Sequence, residues 1–483
     1  MSDPPRSLTR GALLRRGAAA GAAAALGGGL AGRAAAQGGG RDDRGAGSNP
    51  SAFFRSEAFN GEMLFALGAS AYGAAEVGEI LAAVRTINEQ TGDPQRPRTR
   101  DFDVYVRTFA ALGARLSRQA RAARERGDRV TARSRFLRSS TYYAQALFFV
   151  LGTSEPGREE NLFRATERQW LAAIDLFDPP AVRMRIPAGD LSLRASLFRP
   201  DADGAPRPTV IICNGSDGQN VDLMAEGLGA GLERGYNVLL FEGPGQMSLL
   251  FEQQIPFRPD WSRVLTPIVQ TLAARPDVDA TRIVVVGVSF LGMVLASAAV
   301  GTPGLAAVVL EPGGVDYPGL WGDRQSMAVV REVAGASARV RQGARRELNA
   351  GFLREWRSGG IDDLDRFTIH KRGEIFSRRA LRDARAGRPP SDYFGLLASM
   401  LPFSYADDLR RITVPTLVTA NQSDQFFADQ SPEAFRLLRS LPPQSKRAVR
   451  LTTAEGAGLH DQPIGPQVAQ EHVFAWLHRV LGI

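Results

Sequence analysis

Val284-Val285-Val286-Gly287-Val288-Ser289-Phe290-Leu291-Gly292-Met293 is a valine-rich run that passes through a serine into an Ala-rich segment. The unbroken apolar run reads as a strand buried on both faces, and the segment after it as a helix. A serine on that sharp turn is held out of the sheet, with its hydroxyl exposed and the N–H of Phe290 pointing at the same space. The usual spacing is Gly-x-Ser-x-Gly, because small residues let strand and helix pass close together. Here Leu291 stands at the second glycine's place and Gly292 follows one position later. The bland reading is an ordinary strand-to-helix turn that contains a serine; the strand–turn–helix context favours a nucleophile.

Working outward, short continuous apolar runs recur at 209–213, 238–241, 283–286, 306–310 and 416–419, separated by segments of helical length. Such runs predict strands buried on both faces of a parallel sheet. Ahead of them, 182–186 and 191–197 alternate apolar with other residues around Gly189-Asp190 and predict an antiparallel hairpin. The fold class is therefore α/β, a mostly parallel sheet with helices on both faces, its first part at 181–313 and its second at 407–483. Residues 53–180 carry helical periodicity instead: Val106, Phe109, Leu112, Leu116 and Ala120, then Phe136, Leu137, Tyr143, Leu147 and Val150. They predict an N-terminal helical cap domain, whose Tyr142, Tyr143, Phe148 and Phe149 are candidates for pocket lining, with core packing the favoured role for most of them. From 314 to 406 the strand pattern gives way to Arg-rich helical text broken at Gly359-Gly360 and Pro389-Pro390. This segment predicts a helical lid inserted over the carboxyl edge of the sheet. No fixed-period repeat is present.

A nucleophilic serine needs a base, and the chain has four histidines. His472 and His478 fall in an amphipathic helical pattern near the end of the chain, and His370 lies inside the insertion. His460 follows a strand-like run in the glycine-rich Glu455-Gly456-Ala457-Gly458-Leu459-His460, a loop that lets an imidazole reach across to Ser289. The acid that orients such a base lies between nucleophile and histidine in chain order, at the end of a strand. Asp424, after 416–419, meets that description and would fix the imidazole tautomer. Asp429 is the runner-up, and Asp461 stands too close to the histidine in sequence to serve as that acid. An oxyanion site needs a second backbone donor beside Phe290 N–H. The loop Asn214-Gly215-Ser216-Asp217-Gly218 after an earlier strand offers Gly215 or Ser216, and the sequence does not choose between them. Cys213 reads as an apolar strand residue, since nothing beside it would favour a thiolate.

The 483 residues carry a formal charge of +8, which invites a nucleic-acid reading. Half of that charge sits in residues 1–36, where five arginines face one aspartate. Arg15-Arg16, an uncharged Ala/Gly stretch and Arg33-Ala34-Ala35-Ala36-Gln37 read as an export leader of the twin-arginine type, followed by a flexible linker at 37–52. The expected partner is the twin-arginine export machinery, and the expected location periplasmic or extracellular. Nine arginines between Arg115 and Arg138 alternate with Glu125 and Asp128 and read as a solvated helical face, so no nucleic acid is expected. The leader's apolar stretch is too short and weak for a stable membrane span. A single cysteine makes neither an intrachain disulfide nor a zinc site. No cofactor or metal is expected, and homo-oligomerisation stays open.

Taken together, Asn214-Gly215-Ser216-Asp217-Gly218, Phe241-Glu242-Gly243-Pro244-Gly245-Gln246, Phe257-Arg258-Pro259-Asp260-Trp261, the Ser289 turn, Asp424 and the His460 loop resemble the α/β-hydrolase superfamily. The resemblance is to the branch with an N-terminal helical cap that includes 2,6-dihydroxypseudooxynicotine hydrolase and fungal hydrolases that shorten polyketide pigments. It covers most of residues 55–482, with Leu291 and the long insertion as departures. It implies a metal-independent serine hydrolase acting on a small-molecule carbonyl substrate, through Ser289, His460 and Asp424. An ester is the first expectation, C–C cleavage of a β-ketone the second, and a non-catalytic exported binding protein on the same fold the third; a peptidase is a lesser alternative.

Overall fold

The computed structural model describes residues 53–427 and 429–483; the leader expected at 1–36 and the linker expected at 37–52 lie outside the described residues. Five helices come first: α1 (Glu57–Gly68), α2 (Val77–Thr91), α3 (Thr99–Glu125), α4 (Arg129–Phe149) and α5 (Glu159–Ile174). Ser56 starts α1 by accepting the Phe59 N–H on its hydroxyl, and Asp128 starts α4 through the Thr131 N–H. The apolar stripe of α3 is buried against α4, which contributes Phe136, Leu137 and Leu147. Tyr143 is half-buried and lies over Gly113, where a Cβ would come within 3.0 Å of the ring. Of the nine arginines from Arg115 to Arg138, six are exposed and three half-buried. Tyr142 and Phe149 are core residues, whereas Phe148 is half-buried and turned toward Lys371.

Eight strands follow: β1 (Val182–Ala188), β2 (Leu191–Phe198), β3 (Arg207–Cys213), β4 (Asn237–Phe241), β5 (Val278–Val288), β6 (Ala307–Glu311), β7 (Thr416–Asn421) and β8 (Lys446–Leu451). Their order across the sheet is β1-β2-β4-β3-β5-β6-β7-β8. β2 pairs antiparallel with β1 and with β4, and every other pairing is parallel. Val210, Ile211, Ile212, Val284, Val285, Val308 and Val309 are fully buried, as a sheet covered on both faces requires. Each contributes roughly 1.5–3 kcal/mol by leaving water. β8 is an edge strand and keeps Arg447 and Arg450 exposed, which blunts pairing with another chain.

Helices α6 (Leu228–Glu233), α7 (Met247–Phe251), α8 (Ser262–Ala273) and α9 (Phe290–Gly301) connect the strands up to β6. Between β6 and β7 lie α10 (Arg324–Val333), α11 (Ala338–Ser358), α12 (Asp363–Gly373), α13 (Arg378–Arg385), α14 (Tyr393–Met400) and α15 (Ala406–Arg411); α16 (Ser431–Leu437) and α17 (Pro466–Leu481) complete the chain. α12 ties this inserted group to the N-terminal helices. Phe367 packs 5.1 Å from Phe102 and 5.2 Å from Phe149, and Asp363 accepts the Thr99 N–H at 3.0 Å. The segment after α12 reaches back to the sheet, where Phe257 N–H donates to Ile375 O at 2.8 Å. Among the described residues no helix is long and apolar enough to cross a membrane.

One junction between α5 and the sheet is ionisable. Glu167 and Glu242 are both buried and share Asn220, whose Nδ2 lies 3.5 Å from one carboxylate and 3.3 Å from the other. Burial, and then the charge of Glu242, pushes Glu167 up to about 8; burial raises Glu242 as well. Two carboxyls this close hold a proton between them. A raised folded value means stability that is full below the unfolded pKa and declines as pH rises through the folded one. Glu167→Gln, which needs no proton, is therefore expected to melt higher than wild type at pH 8.5 and to lose that advantage at pH 4.5. Thermal unfolding at the two pH values checks this; equal shifts at both would show that the pair holds no proton.

Candidate active site

Ser289 stands between β5 and α9 at φ 53°, ψ −121°, a region that non-glycine residues enter only at a cost of about 1–3 kcal/mol. Two bonds secure the turn: Ser289 N–H donates to Glu311 O at 2.6 Å, and Gly292 N–H donates to Ser289 O at 2.8 Å. The displaced glycine has a steric reason. A Cβ at Gly292 would sit 2.2 Å from Pro312 O, so α9 crosses the end of β6 at this residue, while Leu291 is fully buried.

The His460 loop reaches the same point. Asn421 Nδ2 donates to Leu459 O at 2.6 Å and Ser423 N–H to Gly458 O at 2.7 Å, fastening the loop to the end of β7. His460 Nε2 then lies 2.9 Å from Ser289 Oγ, and His460 Nδ1 lies 2.9 Å from Asp424 Oδ2. The other oxygen of Asp424 accepts the N–H groups of Phe426 and Phe427 at 2.7 and 2.8 Å. Phe427 stacks on the imidazole at 5.5 Å and Phe426 meets it edge-on at 4.9 Å. Burial alone would push Asp424 up, but the charge of His460 and these hydrogen bonds hold it below the usual carboxylate value. Burial pulls His460 down, and the carboxylates of Asp424 and Asp461 overcome it, carrying the imidazole up to about 9.

The other candidates lie apart. Asp429 is exposed. His370 is buried with Nε2 2.9 Å from Arg388 O, and burial pulls it down to about 4. His472 is exposed, and His478 stacks on Tyr236 at 5.7 Å. Cys213 is fully buried, and that burial pushes its thiol up, away from a thiolate.

Phe290 is the first residue of α9, so its N–H has no carbonyl one turn behind it. Across from it runs the 214–218 loop. A Cβ at Gly215 would lie 2.8 Å from Ser289 Cβ, which explains the glycine there. Gly215 N–H donates to Asn214 Oδ1 at 2.7 Å, whereas no protein acceptor engages Ser216 N–H among the described residues. Gln246 braces this loop, its Nε2 donating to Gly215 O at 2.9 Å and its Oε1 accepting Gly243 N–H at 3.0 Å. From α12, Arg372 ion-pairs with Asp217, reaches Ser216 Oγ at 3.4 Å and lies over the Phe426 ring.

Sequence reasoning missed three of these neighbours. Gln246 appeared only as part of a motif, and its side-chain role follows from the turn that aims it at the 214–218 loop. Arg372 was one of many arginines in the insertion. Asp461 was set aside because it adjoins His460, yet positive φ at Asp461 (54°) and Gln462 (46°) folds the chain back and brings its Oδ2 to 3.2 Å from His460 Nε2.

No family model matches the chain. Among curated proteins, hydrolase ORFZ of Pyricularia oryzae is 27% identical over 452 residues, spanning 89% of this chain and 98% of that protein. The α/β hydrolase psoB of Aspergillus fumigatus is 26% identical over 448 residues, spanning 89% and 94%. Among solved structures, 2,6-dihydroxy-pseudo-oxynicotine hydrolase superposes with a TM-score of 0.58 at 17% identity, covering 86% of this chain and 95% of that one. The mostly parallel eight-stranded sheet and the fold shared with that structure give this protein the α/β-hydrolase fold, and along nearly its whole length the chain is similar to hydrolases of the α/β type.

Proposed function

We propose that the chain is a serine hydrolase that acts on an ester or an activated ketone through Ser289, His460 and Asp424. The observation that carries this reading is the unbroken pair of 2.9 Å contacts from Ser289 Oγ through the imidazole to Asp424 Oδ2. Ser289 Oγ attacks the substrate carbonyl as its proton passes to His460 Nε2, and Asp424 stabilises the resulting imidazolium. The Phe290 N–H and the Ser216 N–H supply the oxyanion donors, Gly215 N–H being engaged by Asn214. The tetrahedral intermediate collapses, the leaving group takes the Nε2 proton, and water activated by His460 releases the acid. An ester loses an alkoxide this way; a β-ketone loses a stabilised carbanion, the alternative supported by the likeness to 2,6-dihydroxy-pseudo-oxynicotine hydrolase. The leader is proposed to direct the protein out of the cytoplasm.

Fluorophosphonate labelling of the purified chain tests this reading, alongside a screen of aryl esters and β-diketones. Wild type is expected to carry one adduct on Ser289, and Ser289→Ala none. Absence of an adduct on wild type would favour the non-catalytic binding protein.

A further inference from the structure

Three carboxyl groups that the triad does not use lie behind its histidine. Asp461 comes from the His460 loop, Glu311 from the end of β6 and Glu226 from the segment before α6. All three are buried, Glu311 completely. Asp461 Oδ1 and both oxygens of Glu311 find no hydrogen-bond partner among the described residues. They are not arranged to hold a metal ion. What distinguishes Asp461 is where its other oxygen points: Oδ2 lies 3.2 Å from His460 Nε2, the nitrogen that also faces Ser289 Oγ at 2.9 Å.

This contact has a proton requirement. Asp424 occupies Nδ1 and sets the tautomer with the proton there, leaving a lone pair on Nε2. A carboxylate lone pair cannot rest against that lone pair without repulsion. The pair is therefore favoured with one proton on it, as either an imidazolium beside a carboxylate or an imidazole beside a carboxylic acid. Two sites coupled this closely release protons in macroscopic steps that belong to the pair.

We propose that Asp461 is a second acid of the catalytic base, sharing one proton with His460 Nε2 and so setting the pH at which Ser289 becomes a nucleophile. The proposal rests on the serine-hydrolase reading above and deepens it. Once the shared proton is lost, Ser289 Oγ–H gives its proton to Nε2 as the Oγ–C bond forms and the carbonyl electron pair moves to oxygen. Asp461 Oδ2 then holds that proton on Nε2 until the intermediate collapses and the departing atom, keeping the electron pair of the broken bond, takes it.

The surrounding charges agree. Burial, followed by the opposing influence of His460, leaves Asp461 at about 7, and burial together with Asp461 carries Glu311 up to about 8. Burial also raises Glu226, reinforced by Asp461, Glu311 and Asp222. On the other side, His460 faces Asp424 from the β7 end and Arg372 from α12, the arginine lowering its proton affinity. Burial favours the neutral forms of Glu311 and Glu226, and Asp461 is the carboxyl of the three that stands in contact with the base.

The test is the pH dependence of Ser289 labelling by a fluorophosphonate, measured on the full chain as wild type and as Asp461→Asn. Asn keeps the shape of the side chain and tolerates positive φ. Removing a counter-charge lowers the proton affinity of His460, so the variant is expected to reach half-maximal labelling at least about one pH unit lower than wild type. A midpoint within about 0.3 unit of wild type would overturn the proposal. Should the variant not fold, histidine NMR on wild type decides: the His460 ring is expected to titrate in two coupled steps, and a single step would overturn the proposal. Wild type that is never labelled at any pH sinks the serine-hydrolase reading instead, a result separate from either midpoint or NMR outcome.

Discussion

Ser289→Ala is expected to lower kcat/KM on any substrate the protein turns over by about 10⁵-fold, with the melting temperature within about 2 °C of wild type. The two halves of this expectation come from different atoms. Activity is expected to rest on Oγ, which is 2.9 Å from His460 Nε2. Stability rests on the backbone turn, whose Ser289 N–H to Glu311 O bond survives the substitution, and on a Cβ that alanine retains. The strain at φ 53° also persists, so nothing is gained by its release. A residual rate of more than about one-hundredth of wild type would move the nucleophile elsewhere in the molecule. Folding of the variant by circular dichroism, with steady-state kinetics on one substrate, is sufficient.

The sheet was largely legible because burial on both faces leaves a direct trace, and the five apolar runs all coincide with strands, Ala306 alone lying just ahead of β6. β8 was legible only from its second half, since Lys446 and Arg447 at a solvent edge carry no such trace. Ser289, Asp424 and His460 stand at a strand end, a strand end and a glycine-rich loop, positions where residue type and chain order are informative without coordinates. Asp461 was not, because its use depends on two positive φ values that return the chain toward Nε2, and neither residue is a glycine that would announce them. Nor could the sequence choose between Gly215 and Ser216, since the difference is a single bond from Gly215 N–H to the neighbouring Asn214 side chain. The contact of α12 with the N-terminal helices was equally hidden. Phe367 reads as one apolar residue in an Arg-rich segment until Phe102 and Phe149 are seen beside it.

The position of Gly292 leads to the largest expected effect on stability. A Cβ there would lie 2.2 Å from Pro312 O, 2.9 Å from Glu311 N and 3.1 Å from Glu311 C. All three are backbone atoms at the end of β6, which pairs with β5 immediately before Ser289, so no flexible side chain is available to yield. Gly292→Ala is expected to cost more than about 3 kcal/mol, at the upper end of overpacking effects, by forcing α9 off the sheet. Gly343, in the middle of α11 with nothing within 4 Å of its would-be Cβ, is the control. Gly343→Ala is expected to stabilise by about 0.5–1 kcal/mol through helix propensity. Denaturant unfolding of the two variants separates steric exclusion at the turn from any general response of helices to a glycine replacement. A Gly292→Ala protein within about 1 kcal/mol of wild type would mean that α9 and β6 part more easily than their contact implies. Because Ser289 N–H is bonded to Glu311 O, the same shift that destabilises the protein also moves Ser289. The surviving folded fraction should therefore show a lower labelling rate per folded molecule, which a loss of stability alone would not produce.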